Sequence, residues 1–191
     1  MKKVNVQKMV GVALFAAIIV VLQFVGNFIK FGSFSISLVL VPLIVGAAIY
    51  GPSAGAFLGG VFGIVVVYDC ITVGNPLWLA NPVATVIVCM LKGIAAGYVS
   101  GLLYKLLSRK NKYVGAYVSA VACPVVNTGI FCASLFLIFK NTLVEMAAGT
   151  NIIYFTFIIM VGANFLFELL ANIVLAPVIV NVMNSVKKHR R

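Results

Sequence analysis

The sequence predicts an all-α membrane protein: one domain over 1–191, six transmembrane helices, both termini on the cytoplasmic side. Three observations carry this. First, 63% of the 191 residues are hydrophobic and only 9% are charged, whereas a soluble domain is about 45–50% apolar and about 25% charged. The mean hydropathy of +1.19 agrees. Second, the apolar residues fall into runs near the ~20 residues that a helix needs to cross a bilayer. Third, the basic residues gather at the chain ends and in one short loop, as the positive-inside rule requires of a cytoplasmic face.

The first helix is expected over 8–28, followed by a polar break that contains Gly32. The next apolar stretch is split by Tyr50-Gly51-Pro52-Ser53, and Gly-Pro is a strong turn signal. Two shorter helices result, over 37–49 and 53–68. The first of these is short for a full span, so it is tilted, re-entrant or packed against longer neighbours. Gly74, Asn75 and Pro76 break the chain, making 69–79 a loop. The fourth helix covers 80–107, and the basic loop Ser108–Lys112 follows. The fifth covers 113–139, 140–150 is a polar connection, and the sixth covers 152–185. No internal repeat is evident, and no cleavable signal peptide is expected.

Six passes put both ends on one side. Lys2, Lys3, Lys8, Lys105, Arg109, Lys110, Lys112, Lys187, Lys188, Arg190 and Arg191 then share a face, eleven of the fourteen basic residues. Lys30, Asp69, Lys140 and Glu145 fall on the other face. Five or seven passes would scramble this segregation. The formal charge of +11 therefore reads as topology rather than as a nucleic-acid surface, and membrane lipid is the expected surround.

The absences exclude other classes. The one histidine, His189, lies in the basic tail. No nucleotide-binding loop, metal-ligand cluster or carboxylate pair at catalytic spacing occurs. An enzyme, a metal site and a bound cofactor are not expected. Cys70, Cys89, Cys123 and Cys132 show no metal-ligand spacing and read as structural thiols.

Two charges escape the topology map. Lys92 sits about 18 Å below the outer end of the fourth helix, at 1.5 Å per residue, and Glu168 lies at comparable depth on the sixth. Ionisable groups inside a span are costly and mark functional sites by default. Asn127 is also near mid-span. Asn164, Glu168 and Asn172 share one helix face at i, i+4, i+8. Two readings compete. In one, Lys92 and Glu168 neutralise each other while the asparagines lock helices together. In the other, the cluster floors a pocket open to the outside. Asn75, Trp78 and Asn81 would cap such a pocket, although Asn81 also suits a helix N-cap and Trp78 an interfacial anchor. Small residues recur at four-residue spacing: Ala13 and Ala17, then Gly55, Gly59 and Gly63, then Gly93, Gly97 and Gly101. This spacing lets helix backbones approach closely.

The pattern P-x-x-x-G-x-x-x-x-G-P-x-x-G-x-x-x-G from Pro42, the Ala13/Ala17 motif, six helices and basic ends together resemble the substrate-binding S component of energy-coupling factor (ECF) vitamin transporters. The resemblance covers essentially the whole chain. The stretch from Gly74 to Gly93 is similar to the riboflavin and pantothenate branches of that family. The resemblance implies a subunit that captures a vitamin from outside and docks on an energising module of one membrane coupling protein and two ATPases. Ala13 and Ala17 would form the docking face, and Asn75, Trp78, Asn81, Lys92, Asn127, Asn164 and Glu168 would meet the substrate. A buried Lys92 suits a carboxylate-bearing vitamin such as pantothenate. If Glu168 already neutralises it, a neutral ring system such as riboflavin is equally suited. The competing classes are a standalone channel or carrier, which the lack of repeats and of ionisable relays disfavours, and a ligand-free assembly protein.

Overall fold

The computed structural model describes residues 6–28, 30–31, 34–35 and 38–188. Lys2, Lys3, His189, Arg190, Arg191 and the expected helix start at Ser37 lie outside the described residues. The described chain is helical except for one minimal hairpin. Helix α1 runs Val6–Phe28, and strands β1 (Lys30–Phe31) and β2 (Phe34–Ser35) pair antiparallel. Then come α2 (Leu40–Tyr50), α3 (Pro52–Thr72), α4 (Pro76–Ala80), α5 (Pro82–Leu107), α6 (Lys112–Leu137), α7 (Lys140–Ala147) and α8 (Ile152–Tyr154). A π-helical segment, Phe155–Met160, leads into α9 (Gly162–Lys188).

The helix boundaries follow from local chemistry. Gly51 has φ 94° and ψ 176°, a backbone region that is essentially glycine's alone. Pro52 then starts α3, where its missing N–H costs nothing. Asn75, Asn81, Asn111 and Asn151 each cap the helix that follows with a side-chain oxygen that accepts from a backbone N–H. Such caps satisfy donors that a helix start leaves unpaired.

Three expectations are corrected. Residues 69–79 are not one loop: α3 continues through Asp69 and Cys70 to Thr72, and α4 fills much of the remainder. The connection over 140–150 is largely the helix α7, whose Leu143 and Ala147 are buried. The sixth predicted helix is interrupted by the π-helical segment before α9 begins at Gly162.

Among the described residues, five helices are long and apolar enough to cross a membrane: α1, α3, α5, α6 and the 164–182 part of α9. A sixth arises only if Lys140–Ala147 and Ile152–Met160, bent by 94°, count as one span. Helix α2, read from sequence as a short helix over 37–49, has 11 residues. At ~1.5 Å per residue it falls well short of a bilayer core. Of the three readings offered for it, packing against longer neighbours is the one observed. Leu40, Leu43, Ile44 and Ala47 are fully or almost fully buried, and the main core gathers round this helix with Ile19, Leu58, Ala96, Ala116, Ile179 and Val180.

The bundle's axis is a glycine seam. Helices α3 and α5 run antiparallel with Gly55 against the Gly97 carbonyl and Gly59 against that of Gly93. A Cβ on Gly63 would stand 2.8 Å from the Cys89 carbonyl oxygen, closer than real Cβ contacts come. Helices α5 and α6 are tied by reciprocal bonds: Ser119 Oγ donates to the Ser100 carbonyl at 3.0 Å and Ser100 Oγ to the Ser119 carbonyl at 3.5 Å. Contacts of Gly101 with Pro52, and of Gly11 with Tyr50, place the start of α1, the α2–α3 turn and the α5–α6 loop at one end of the bundle. Lys8, Lys105, Arg109, Lys110 and Lys112 belong to that end. Asp69, Lys140 and Glu145 belong to the opposite end, where Gln23 Nε2 on α1 donates a 2.7 Å hydrogen bond to Asp69 Oδ2 on α3.

Candidate ligand cavity

At the end opposite the basic loop, α3, α4, α5 and α6 enclose a cavity of about 150 Å³. Its walls are Val66 and Cys70 from α3, Asn75 and Leu77 from the α4 segment, Thr85, Val88, Cys89 and Lys92 from α5, and Phe131 and Phe139 from α6 and its C-terminal flank. Spacing sets this lining: Val66 and Cys70 are one turn apart, as are Thr85, Val88 or Cys89, and Lys92. The capping segment is fixed by two devices. Asn75 Oδ1 accepts from Leu77 N at 3.0 Å, and Thr85 Oγ1 donates to the Leu77 and Asn81 carbonyls, each at 2.9 Å.

Lys92 supplies the positive charge of the cavity. Its Nζ lies 5.0 Å from the centroid of the Phe131 ring, within cation–π range. Glu168 is near enough for its charge to interact with that of Lys92, but no hydrogen bond or ion pair joins the two. Direct neutralisation, one of the two readings of this pair, is therefore not observed. Cys70 and Cys89 both contribute to the cavity wall, Cys89 buried and Cys70 partly exposed.

The seven residues expected to meet substrate divide. Lys92 and Asn75 line the cavity. Trp78 is half-buried on α4 and does not line it, and Asn81 is exposed with its side chain capping α5 through a 3.0 Å bond from Ala84 N. Asn127 on α6 and Asn164 and Glu168 on α9 do not line the cavity. The buried Oδ1 atoms of Asn127, Asn164 and Asn172 have no hydrogen-bond partner, while Asn172 Nδ2 donates to the Glu168 carbonyl at 2.8 Å. Sequence reasoning missed Cys70, Cys89, Thr85, Phe131 and Phe139. The three-residue step from Cys89 to Lys92 was the available signal, since it puts them on one helix face.

A larger opening of about 590 Å³ lies between α1 and α3, lined by Lys8, Met9, Val12, Ala13, Ala16, Ser53, Ala54 and Phe57. It lacks the convergent polar groups of a small-molecule site, so the smaller cavity is the ligand candidate. Ala13 and Ala17 are both exposed on the outer face of α1. Only 6% of the most apolar stretch of α1 is buried, against 39% for α3, α5 and α6, so the bundle leaves most of this helix uncovered.

A helical bundle of this hydropathy, with five described helices long and apolar enough to cross a membrane, is a multi-pass membrane protein, and its cavity joins apolar walls to a few polar groups, as small-molecule sites do. Residues 7–180 match the family described as ECF transporter, substrate-specific component. The pantothenic acid transporter PanT of Lactococcus lactis subsp. cremoris (strain MG1363) is 31% identical over 158 residues, covering 75% of this chain and 79% of that protein. The solved structure of ThiT from Listeria monocytogenes superposes with a TM-score of 0.66 at 21% identity, over 93% of this chain and 95% of that one. The chain belongs to the family of ECF transporter substrate-specific components: it is a substrate-binding membrane subunit of a transporter and not an enzyme.

Proposed function

We propose that this S component captures pantothenate from outside the cell. The observation that carries the reading is Lys92, an ammonium group on the cavity wall that no carboxylate among the described residues pairs with directly. Pantothenate offers the missing carboxylate, and its hydroxyl and amide groups suit Asn75 and Thr85. The name of the relative PanT points to the same substrate. The cavity, at about 150 Å³, is smaller than the ~300–1,000 Å³ usual for ligand sites, so binding widens it. Mass spectrometry of small molecules released from the purified protein tests this. Pantothenate is the expected species, and release of riboflavin in its place overturns the assignment.

The topology proposed with it has six passes, α1, α2, α3, α5, α6 and α9, and both termini in the cytoplasm. The clustering of Lys105, Arg109, Lys110 and Lys112 at one end of the bundle supports this orientation under the positive-inside rule. The exposed Ala13/Ala17 face of α1, with the apolar groove beside it, is the proposed docking surface for the membrane coupling protein, which two ATPases energise. Lys92 and Asn75 are the proposed substrate contacts within the cavity. Trp78, Asn127, Asn164 and Glu168 would act from its surroundings, and Asn81 by holding the start of α5.

A further inference from the structure

The groove between α1 and α3 is polar at one end only. Lys8 and Ser53 stand where α1 and α3 begin, at the basic end of the bundle, and the lining runs from there to Ala16 and Phe57 without another polar side chain. Lys8 and Ala16 are about 12 Å apart along the helix axis, at 1.5 Å per residue. The space exists because Ala13, Ala16, Ser53 and Ala54 are small. At the opposite end the same two helices are tied by the 2.7 Å bond from Gln23 to Asp69 and by the edge-to-face rings of Phe24 and Tyr68, whose centroids are 5.8 Å apart. Lys8 is half-buried, whereas Gln7, Met9 and Val10 beside it are exposed, so part of its side chain belongs to the groove wall.

We propose that this groove seats one anionic phospholipid, its phosphate at Lys8 and Ser53 and one acyl chain along Ala13 and Ala16 toward the middle of the bundle. The end of a spanning helix faces headgroups and its middle faces hydrocarbon, so a lipid beside the bundle has the same polarity as the groove. Hydrocarbon fills an apolar groove whatever headgroup it carries, because lipid tails are as apolar as the walls. Selectivity comes from charge: one basic residue beside an anionic headgroup is worth about fivefold in affinity. Lys105, Arg109, Lys110 and Lys112 add an attraction general to this end of the bundle, whereas Lys8 is on the groove wall itself. The lipid and the coupling protein compete for one face of α1, and docking releases the lipid. That release rests on the reading of α1 as the docking face, whereas the lipid site does not.

The test is native mass spectrometry of the purified protein in detergent, titrated with dioleoyl phosphatidylglycerol and, separately, with dioleoyl phosphatidylcholine, which share their chains and differ in head charge. Wild type should retain one phosphatidylglycerol with about fivefold higher affinity than phosphatidylcholine. Lys8→Gln should bring phosphatidylglycerol down to the level of phosphatidylcholine, and Lys110→Gln should leave the preference in place. Ala13→Leu and Ser53→Leu fill the groove from exposed positions, and should weaken both lipids while the unfolding temperature stays at that of wild type. Equal affinity of wild type for the two lipids, or a preference that survives Lys8→Gln, overturns the anionic site. Lipid retention unchanged in both leucine variants overturns the groove as the seat. A complex with the coupling protein and ATPases that keeps the lipid overturns the release and leaves the site standing. Complexes that still form with Ala13→Trp overturn the docking reading instead, and the lipid titration still reports on the groove.

Discussion

Gly59 and Gly93 touch backbone to backbone: a Cβ built on either would run into the carbonyl group of the other. No flexible side chain stands at the contact to give way. Gly93→Val should therefore cost at least the ~1–3 kcal/mol of core overpacking, seen as a lower unfolding temperature in detergent. Gly60 is the control on the same helix. A Cβ there meets only side-chain atoms, the nearest at 3.7 Å, so Gly60→Ala should hold or raise stability, given the ~1 kcal/mol helix preference for alanine. Equal damage from both substitutions would refute the seam.

Lys92 is expected to act on ligand rather than on folding. Lys92→Met should weaken pantothenate by about 1.5–3 kcal/mol, the worth of a hydrogen bond to a charged group, or roughly ten- to a hundredfold in Kd. Lys92→Arg should keep part of the affinity. Glu168→Gln should bind within a few-fold of wild type, because no direct ion pair is lost. Titration calorimetry separates these cases, and a large loss in Glu168→Gln with none in Lys92→Met would reverse the assignment.

Two asparagines that look alike in sequence should behave differently. Asn81 only caps α5, so Asn81→Ala should lower stability by about 1 kcal/mol and leave ligand affinity alone. Asn75 caps α4 and also faces the cavity, so Asn75→Ala should lower both. Thermal unfolding measured beside binding tests the distinction.

Bulk on the open face of α1 should block assembly without unfolding the protein. Ala13→Trp and Ala17→Trp are expected to bind pantothenate normally and to lose co-purification with the coupling protein and ATPases. Intact complexes would place the docking surface elsewhere.

The parts of this architecture that were legible in sequence are those set by local chemistry. Gly51-Pro52 had to turn because of its backbone, Asn81-Pro82 had to open a helix, and glycines at four-residue spacing had to meet a neighbour. Helix α7 was not legible, because a short polar segment carries no hydropathy signal and is held by burying Leu143 and Ala147. The continuation of α3 past Asp69 was hidden for a related reason. The acid is accommodated by Gln23, 46 residues earlier in the chain, a partner that no local window contains. At the site, depth alone brought Lys92 and Glu168 together, but helix rotation decides which side chains face the same space. Glu168 is absent from the cavity wall, while Lys92 stands on it beside Phe131. That Cys70 and Cys89 line one cavity depends on the antiparallel packing of two helices, which the sequence carries only through glycines elsewhere along them.

The glycine seam also divides the cavity into a fixed wall and a movable one. Where two backbones already touch, α3 and α5 have no slack to slide or part, so Val66 and Val88 keep their separation whatever occupies the space between. The opposite boundary is built from the five residues of α4 and from Phe139 at the junction of α6 and α7, held by a few caps and hydroxyl bonds. On the proposed function, a vitamin would enter and leave past Leu77 and Phe139, on the hinged side of a vessel whose back is rigid.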